Sequence, residues 1–100
     1  MATLQIVYWR DIPAQVKAKV GRERGGAQCS QRFQDAIDAA AMRAGLIGTD
    51  EYLAEWRTSD GIEREGAPEA VAQTVAAELE AAYSDERLRK LIANGGREAG

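Results

Sequence analysis

Ser30–Leu46, SQRFQDAIDAAAMRAGL, is the stretch whose reading decides the fold. At about 100° per residue, Phe33, Ala36, Ile37, Ala40 and Ala44 fall on one stripe, with Gln31, Gln34, Asp35 and Asp38 opposite. The spacing predicts an amphipathic helix. Ser30 is placed to cap it, its hydroxyl accepting an unpaired amide hydrogen of the first turn. Gly45 stands where a left-handed residue ends a helix. The alanines make the buried side shallow, so this helix can lie close to whatever it covers.

Working back from it, Thr3–Arg10 (TLQIVYWR) is β-branched and aromatic and reads as a strand. Leu4, Ile6 and Tyr8 point one way and Gln5, Val7 and Trp9 the other, both sides largely apolar, as in a central strand. After a turn at Asp11-Ile12-Pro13, Ala14–Gly21 alternates Val16, Ala18 and Val20 against Gln15, Lys17 and Lys19. It is expected to pair antiparallel with the first strand. Arg22–Gln28 is polar and reads as a loose connection through Gly25-Gly26.

Downstream, Gly48-Thr49-Asp50 redirects the chain. Glu51–Thr58 (EYLAEWRT) alternates Tyr52, Ala54 and Trp56 as a strand would, while Leu53 and Trp56 also suit a helical turn; the strand is the expectation. Ser59-Asp60-Gly61 then predicts a hairpin, since Asp-Gly favours one, with Ile62–Gly66 as a charged edge strand. Pro68 and Glu69 open a second helix, along which Val71, Val75, Leu79 and Tyr83 recur at i+4. Ser84-Asp85 caps a shorter helix over Glu86–Ala93, and Asn94-Gly95-Gly96 ends it. The sum is α+β: a small antiparallel sheet with two main helices on one face, in the order ββαββα, plus a short C-terminal helix. Residues 1–96 form one domain, and 97–100 are expected to be a frayed tail.

The composition narrows the chemistry. Cys29 is the sole cysteine, so neither a disulfide framework nor a thiolate metal cage can form within the chain. Histidine is absent, which removes the commonest general base and metal ligand. No nucleophile–base pair and no metal set can be assembled, and the expectation is a non-enzyme without cofactor or metal. The N-terminus lacks an export pattern, and no stretch approaches the ~20 apolar residues that span a bilayer. A cytoplasmic protein without a membrane partner is expected.

Four segments, VYWRDIPAQV, SQRFQDAIDAAAMRAGL, GTDEYLAEW and EAVAQTVAAELEA, resemble the virulence factor domain family, over about Leu4 to Tyr83. In that family the domain occurs alone, and also at the C-terminal end of longer proteins with HEAT-like helical repeats, of the conserved virulence factor C type. The resemblance implies no reaction, cofactor or catalytic residue. The stand-alone form is associated with genes for folate- and corrinoid-dependent methyl transfer, so it also implies an accessory subunit of such a system as an alternative.

Candidate sites follow from the strands. Arg10, Lys17, Lys19, Arg22, Arg24 and Arg32 make a basic cluster. If the helices cover the Leu4 side, Val7 and Trp9 face outward, and Val7, Trp9, Arg10, Lys17 and Lys19 form a surface for docking on a larger protein. The other arrangement has Trp9 in the core and the opposite sheet face open; for the basic cluster alone, the alternative is a solvated strand face. A monomer or weak homodimer is expected. The same cationic and aromatic face is the alternative site for single-stranded nucleic acid, although no RNP-like signature accompanies it. Trp56 reads as core. Met42, with Ala39 and Leu46, offers a strip for Leu88, Leu91 and Ile92 or for another protein. Cys29 precedes a helix N-terminus, where a thiol pKa can fall. Asp35 and Asp38, at i+3, read as a solvated surface or a weak cation site.

Overall fold

β1 (Ala2–Trp9) is the central strand of the computed structural model, which describes residues 1–98. β2 (Ile12–Val20) pairs with it antiparallel through a tight turn at Arg10-Asp11, where Arg10 adopts a left-handed φ of 54°. β3 (Glu23–Gln28) pairs antiparallel with β2, and β4 (Trp56–Thr58) and β5 (Ile62–Arg64) both pair with the other side of β1. The strand order is β3-β2-β1-β4, with β5 also on β1. The architecture is the small antiparallel α+β fold that the apolar spacing implies.

Several local expectations are corrected. Residues 23–28 are a strand, not a loose connection. Its polar, glycine-rich composition hides it because it is an edge pressed beneath a helix. Gly25 pairs with Ala18, and a Cβ there would run into the backbone of Pro68 and Glu69, so only glycine lets the layers meet. Residues 51–58 divide between α2 (Asp50–Ala54) and β4, and Thr49 caps α2 by accepting the amide hydrogen of Tyr52 at 3.3 Å. Finally, Asp60-Gly61 makes no hairpin. β4 and β5 follow one another along β1, with Ser59, Asp60 and Gly61 between them set against Gln5 and Ile6. Ser59 carries the ladder through: its amide donates to the Ile6 carbonyl at 2.9 Å and its hydroxyl accepts from the Ile6 amide at 2.9 Å. A Cβ on Gly61 would come within 2.9 Å of the Thr3 methyl group.

α1 (Gln31–Arg43) buries Phe33, Ala36, Ile37, Ala40 and Ala41. Ala44, placed on the stripe by periodicity, is exposed. The Ser30 hydroxyl does not cap the helix; it donates to Glu80 Oε1 at 2.9 Å. Gly45, at φ 73°, stops α1 as expected. Its amide bonds to the Met42 carbonyl and that of Leu46 to the Ala41 carbonyl, the paired bonds of a Schellman ending. α4 (Asp85–Ala93) ends the same way, Gly95 bonding to Ile92 and Gly96 to Leu91.

Within this class, the two main helices divide the sheet between them. α3 (Pro68–Ala82) lays Val71, Ala72, Val75 and Ala76 on Ala2, Leu4, Ile6, Val16 and Ala18. α1 and α4 pack together and close around Trp9 and Ile12 at the hairpin end, while Leu79 touches both clusters. Between them the β1–β2 register slips, Val7 facing Gln15 but Tyr8 facing Pro13, which leaves Ala14 as the extra residue of a bulge. Of the expected tail, Glu98 donates its amide to Asp11 Oδ2 at 2.7 Å and pairs with Arg87. The rest of that tail, 99–100, lies outside the described residues.

The two adjacent glycines of β3 have different roles. Gly25→Ala is expected to cost about 1–3 kcal/mol by overpacking, or at least ~4 °C in Tm. At Gly26 the nearest atom to an added Cβ is the Val16 carbonyl oxygen at 3.5 Å, so Gly26→Ala should stay within about 0.5 kcal/mol. Equal losses in thermal denaturation would contradict this packing.

Candidate functional site

Because side chains alternate along a strand, Thr3, Gln5 and Val7 of β1 share a face with Gln15, Lys17 and Lys19 of β2 and Arg24, Gly26 and Gln28 of β3. Register sets Thr3 opposite Lys19, Gln5 opposite Lys17, Lys17 opposite Gly26 and Lys19 opposite Arg24. Thr3, Gln5, Lys17, Lys19 and Arg24 line a shallow groove of about 230 Å³. Lys17, Lys19 and Arg24 are exposed, and Val7 is half-buried.

The cations on this face lack the ion pairs that most other cations among the described residues make. Arg10, Arg32, Arg57, Arg64, Arg87, Lys90 and Arg97 each have a carboxylate partner. Among the described residues, Lys17, Lys19, Arg22 and Arg24 have none, as is also true of Arg43 and Arg89. Like charges directly opposite one another in a sheet are destabilising, so the Lys19–Arg24 pair does not serve the fold. An anion laid across the groove would relieve it.

Trp9 is not part of this surface, which corrects the outward-facing arrangement. Its exposure is 0%. Its indole Nε1–H donates to the Tyr52 carbonyl at 2.9 Å, and the Tyr52 ring lies 5.7 Å away, centroid to centroid. Gly96 covers the ring so closely that a Cβ there would sit 2.7 Å from Trp9 Cζ3. Apolar side chains on both sides of β1 leave the location of Trp9 open; the roof built by α1, α2 and the end of α4 decides it. Arg10 is likewise withdrawn from the partner surface. Its Nη1 donates to the Gly95 carbonyl at 2.9 Å, Nη2 pairs with Glu55 at 3.3 Å, and the guanidinium lies 5.2 Å from the Trp9 ring centroid. It locks the hairpin turn to the ends of α2 and α4.

Thus, of Val7, Trp9, Arg10, Lys17 and Lys19, the two lysines stand free in solvent. Arg24 joins them; the basic cluster includes it, but its place on this face is hidden because its strand reads as a loop. The other candidate residues behave simply. Trp56 is half-buried, edge-on to Tyr52. Met42 is 70% exposed, and the C-terminal helix docks on α1 through Leu88 and Leu91 without it. Asp35 and Asp38 accept hydrogen bonds from Gln31 and Gln34, each at 3.0 Å. Among the described residues no three of Cys, Asp and Glu gather closely enough to hold a metal ion.

A second hollow, about 260 Å³, lies where Gln15, Gln28, Gln31 and Gln34 surround Cys29 and Trp56. The thiol is pushed up to about 11, first by burial and then by Glu80, against a lowering influence of Arg32. The expected depression at a helix N-terminus is therefore reversed: losing water costs a thiolate more than the helix end returns. At neutral pH this sulfur is a protonated, weak nucleophile.

One protein family, described as Virulence factor, matches the chain over residues 7–92, and the chain belongs to that family. The match runs past Tyr83 and takes in most of α4, which the sequence resemblance left outside; Leu88 and Leu91 of that helix are core residues. No curated protein and no solved structure matches the chain significantly. Among the described residues, no helix is long and apolar enough to cross a membrane.

Thiolate absorbance followed against pH should give a Cys29 midpoint near 11, with alkylation correspondingly slow at pH 8. A midpoint at or below that of a free cysteine thiol would contradict the burial of this side chain.

Proposed function

We propose that this member of the virulence factor family is a non-enzymatic accessory module that docks on an acidic surface of a larger protein through the open face of its sheet. The observation that carries this reading is the set of Lys17, Lys19 and Arg24 on one face without carboxylate partners, two of them directly opposite. Complementary charge of this kind steers encounter and fixes register more than it adds affinity. The polar neighbours Thr3, Gln5, Gln15 and Gln28 suit a wet interface assembled and released reversibly. The same cations repel a second copy, which favours a monomer at low concentration. A protonated Cys29 and the lack of histidine favour a binding role over catalysis.

Nucleic acid is the weaker reading. Sequence-tolerant binding of single strands uses aromatic platforms beside the cations. Trp9 is buried, and Tyr8 alternates to the α3 side with the Arg57 guanidinium 4.4 Å from its ring centroid. No residue of the face favours a folate or corrinoid, so an accessory role in methyl transfer gains no support from it.

A photoreactive side chain at Gln5 should crosslink to a protein in extract of the native cell, whereas one at Gln73, exposed on α3, should not. Lys17→Glu with Lys19→Glu should cut the yield about tenfold without lowering Tm, since the change removes the like-charge opposition to Arg24, and added salt should also reduce the yield. Undiminished crosslinks from the double variant, or recovery of RNA in place of protein, would overturn the proposal.

A further inference from the structure

The outer edge of β3 carries a more specific statement, which rests on the open face being the docking surface. The Cys29 amide donates to the Ala14 carbonyl at 3.0 Å, and these residues continue the register in which Gln15 faces Gln28. In an antiparallel ladder, opposed pairs alternate between exchanging both backbone bonds and exchanging none. The pairs bonded to β2 are therefore Val16–Ala27, Ala18–Gly25 and Val20–Glu23. Arg24, Gly26 and Gln28 turn their N–H and C=O groups away from β2, toward the free edge. No other group among the described residues bonds to them.

Such edges are usually blunted by proline, a bulge or charged side chains; β3 has no proline and no register shift against β2, and of its two charged residues Arg24 lies beside the unpaired groups on the open face. Gly25 is explained by the backbone of α3 above it. Gly26 is not: an ordinary side chain fits there, with only the Val16 carbonyl nearby. What its bareness does provide is a clear path. Lys17, directly opposite on β2, can reach over β3 toward the edge. A strand added at the usual spacing would lie about 10 Å from β2, with Arg24 beside it and Lys17 and Lys19 behind.

We infer that β3 receives an extended acidic segment of another protein as an additional strand. Backbone bonds to Arg24, Gly26 and Gln28 would supply registration, and carboxylates at alternate positions would meet Arg24, Lys17 and Lys19 on the open face. A second copy of this chain is the less suitable occupant, because its β3 would bring further cations to the same edge.

The probe is an end-capped peptide of alternating Glu and Thr, long enough to pass Arg24 through Gln28, added to the intact protein. Binding is read by fluorescence anisotropy and by amide hydrogen exchange. The expected result is binding with slowed exchange at Arg24, Gly26 and Gln28. N-methylation of one alternate set of peptide amides should weaken it at least tenfold, and N-methylation of the other set should not. These changes leave the protein untouched, so misfolding cannot imitate them. Failure to bind, or equal binding by both methylated peptides with unchanged exchange at the edge, overturns strand addition. If Lys17→Glu with Lys19→Glu still weakens binding in that case, docking on the face survives without it. Strand-like exchange that persists undiminished in the double variant overturns the acidic partner. Protection of the same amides without peptide, in a protein that sediments as a dimer, makes a second copy the occupant and also overturns it.

Discussion

The burial of one indole organises this molecule. Trp9 leaves the end of β1 and inserts beneath α1, α2 and the Gly95-Gly96 turn, with its single polar atom satisfied by the Tyr52 carbonyl. Truncating a buried aromatic side chain of this size to alanine typically costs about 3–5 kcal/mol, against a total domain stability of roughly 5–15 kcal/mol. Several segments that have little contact with the sheet otherwise acquire their positions from it. α2 contributes the accepting carbonyl, α4 ends on the glycine that fits over the ring, and Arg10 spans from the turn to both. Because Trp9 and Ile12 take α1 and α4 to the hairpin end, the remainder of that sheet face stays uncovered. The exposed side chains there, Gln5, Lys17, Lys19, Arg24 and Gln28, are polar or charged.

The elements most legible in the sequence are those whose burial is one-sided and periodic. Val71, Val75 and Leu79 announce α3, Phe33, Ala36, Ile37 and Ala40 announce α1, and the alternation of Val16 and Ala18 with Lys17 and Lys19 announces β2. The short C-terminal helix and its docking through Leu88 and Leu91 follow from the same logic. The failures share a cause as well, since in each a tertiary contact outweighed a local preference. Gly25 weakens β3 as an isolated strand, yet the backbone of Pro68 and Glu69 demands it. Asp60-Gly61 would turn a free chain, but the unpaired groups along β1 draw both flanking segments into line, and Ser59 replaces the missing bonds. Ser30 has the chemistry of a cap and gives its hydroxyl to Glu80 instead.

The candidate site was half visible for the same reason. Lys17 and Lys19 could be placed on one strand face from alternation alone. Their neighbour Arg24 could not, because its pairing with Lys19 depends on β3 existing. Trp9, which alternation sets on that same side, is removed by a roof assembled from residues far away in the chain. What remains is a cationic, hydrogen-bonding surface bordered by an unpaired edge. Its chemistry suits charge-guided binding better than apolar adhesion, and the carboxylate partners found for most other arginines make the contrast plain.

Hydrogen exchange at the Trp9 indole Nε1–H tests the arrangement most directly. This proton is shared with the Tyr52 carbonyl and sealed by Gly96, so it should exchange only when the whole domain unfolds, at a rate that follows global stability as denaturant is added. Exchange at the rate of a solvent-exposed indole would mean that Trp9 lies open, and the account of both the fold and its uncovered polar face would fail.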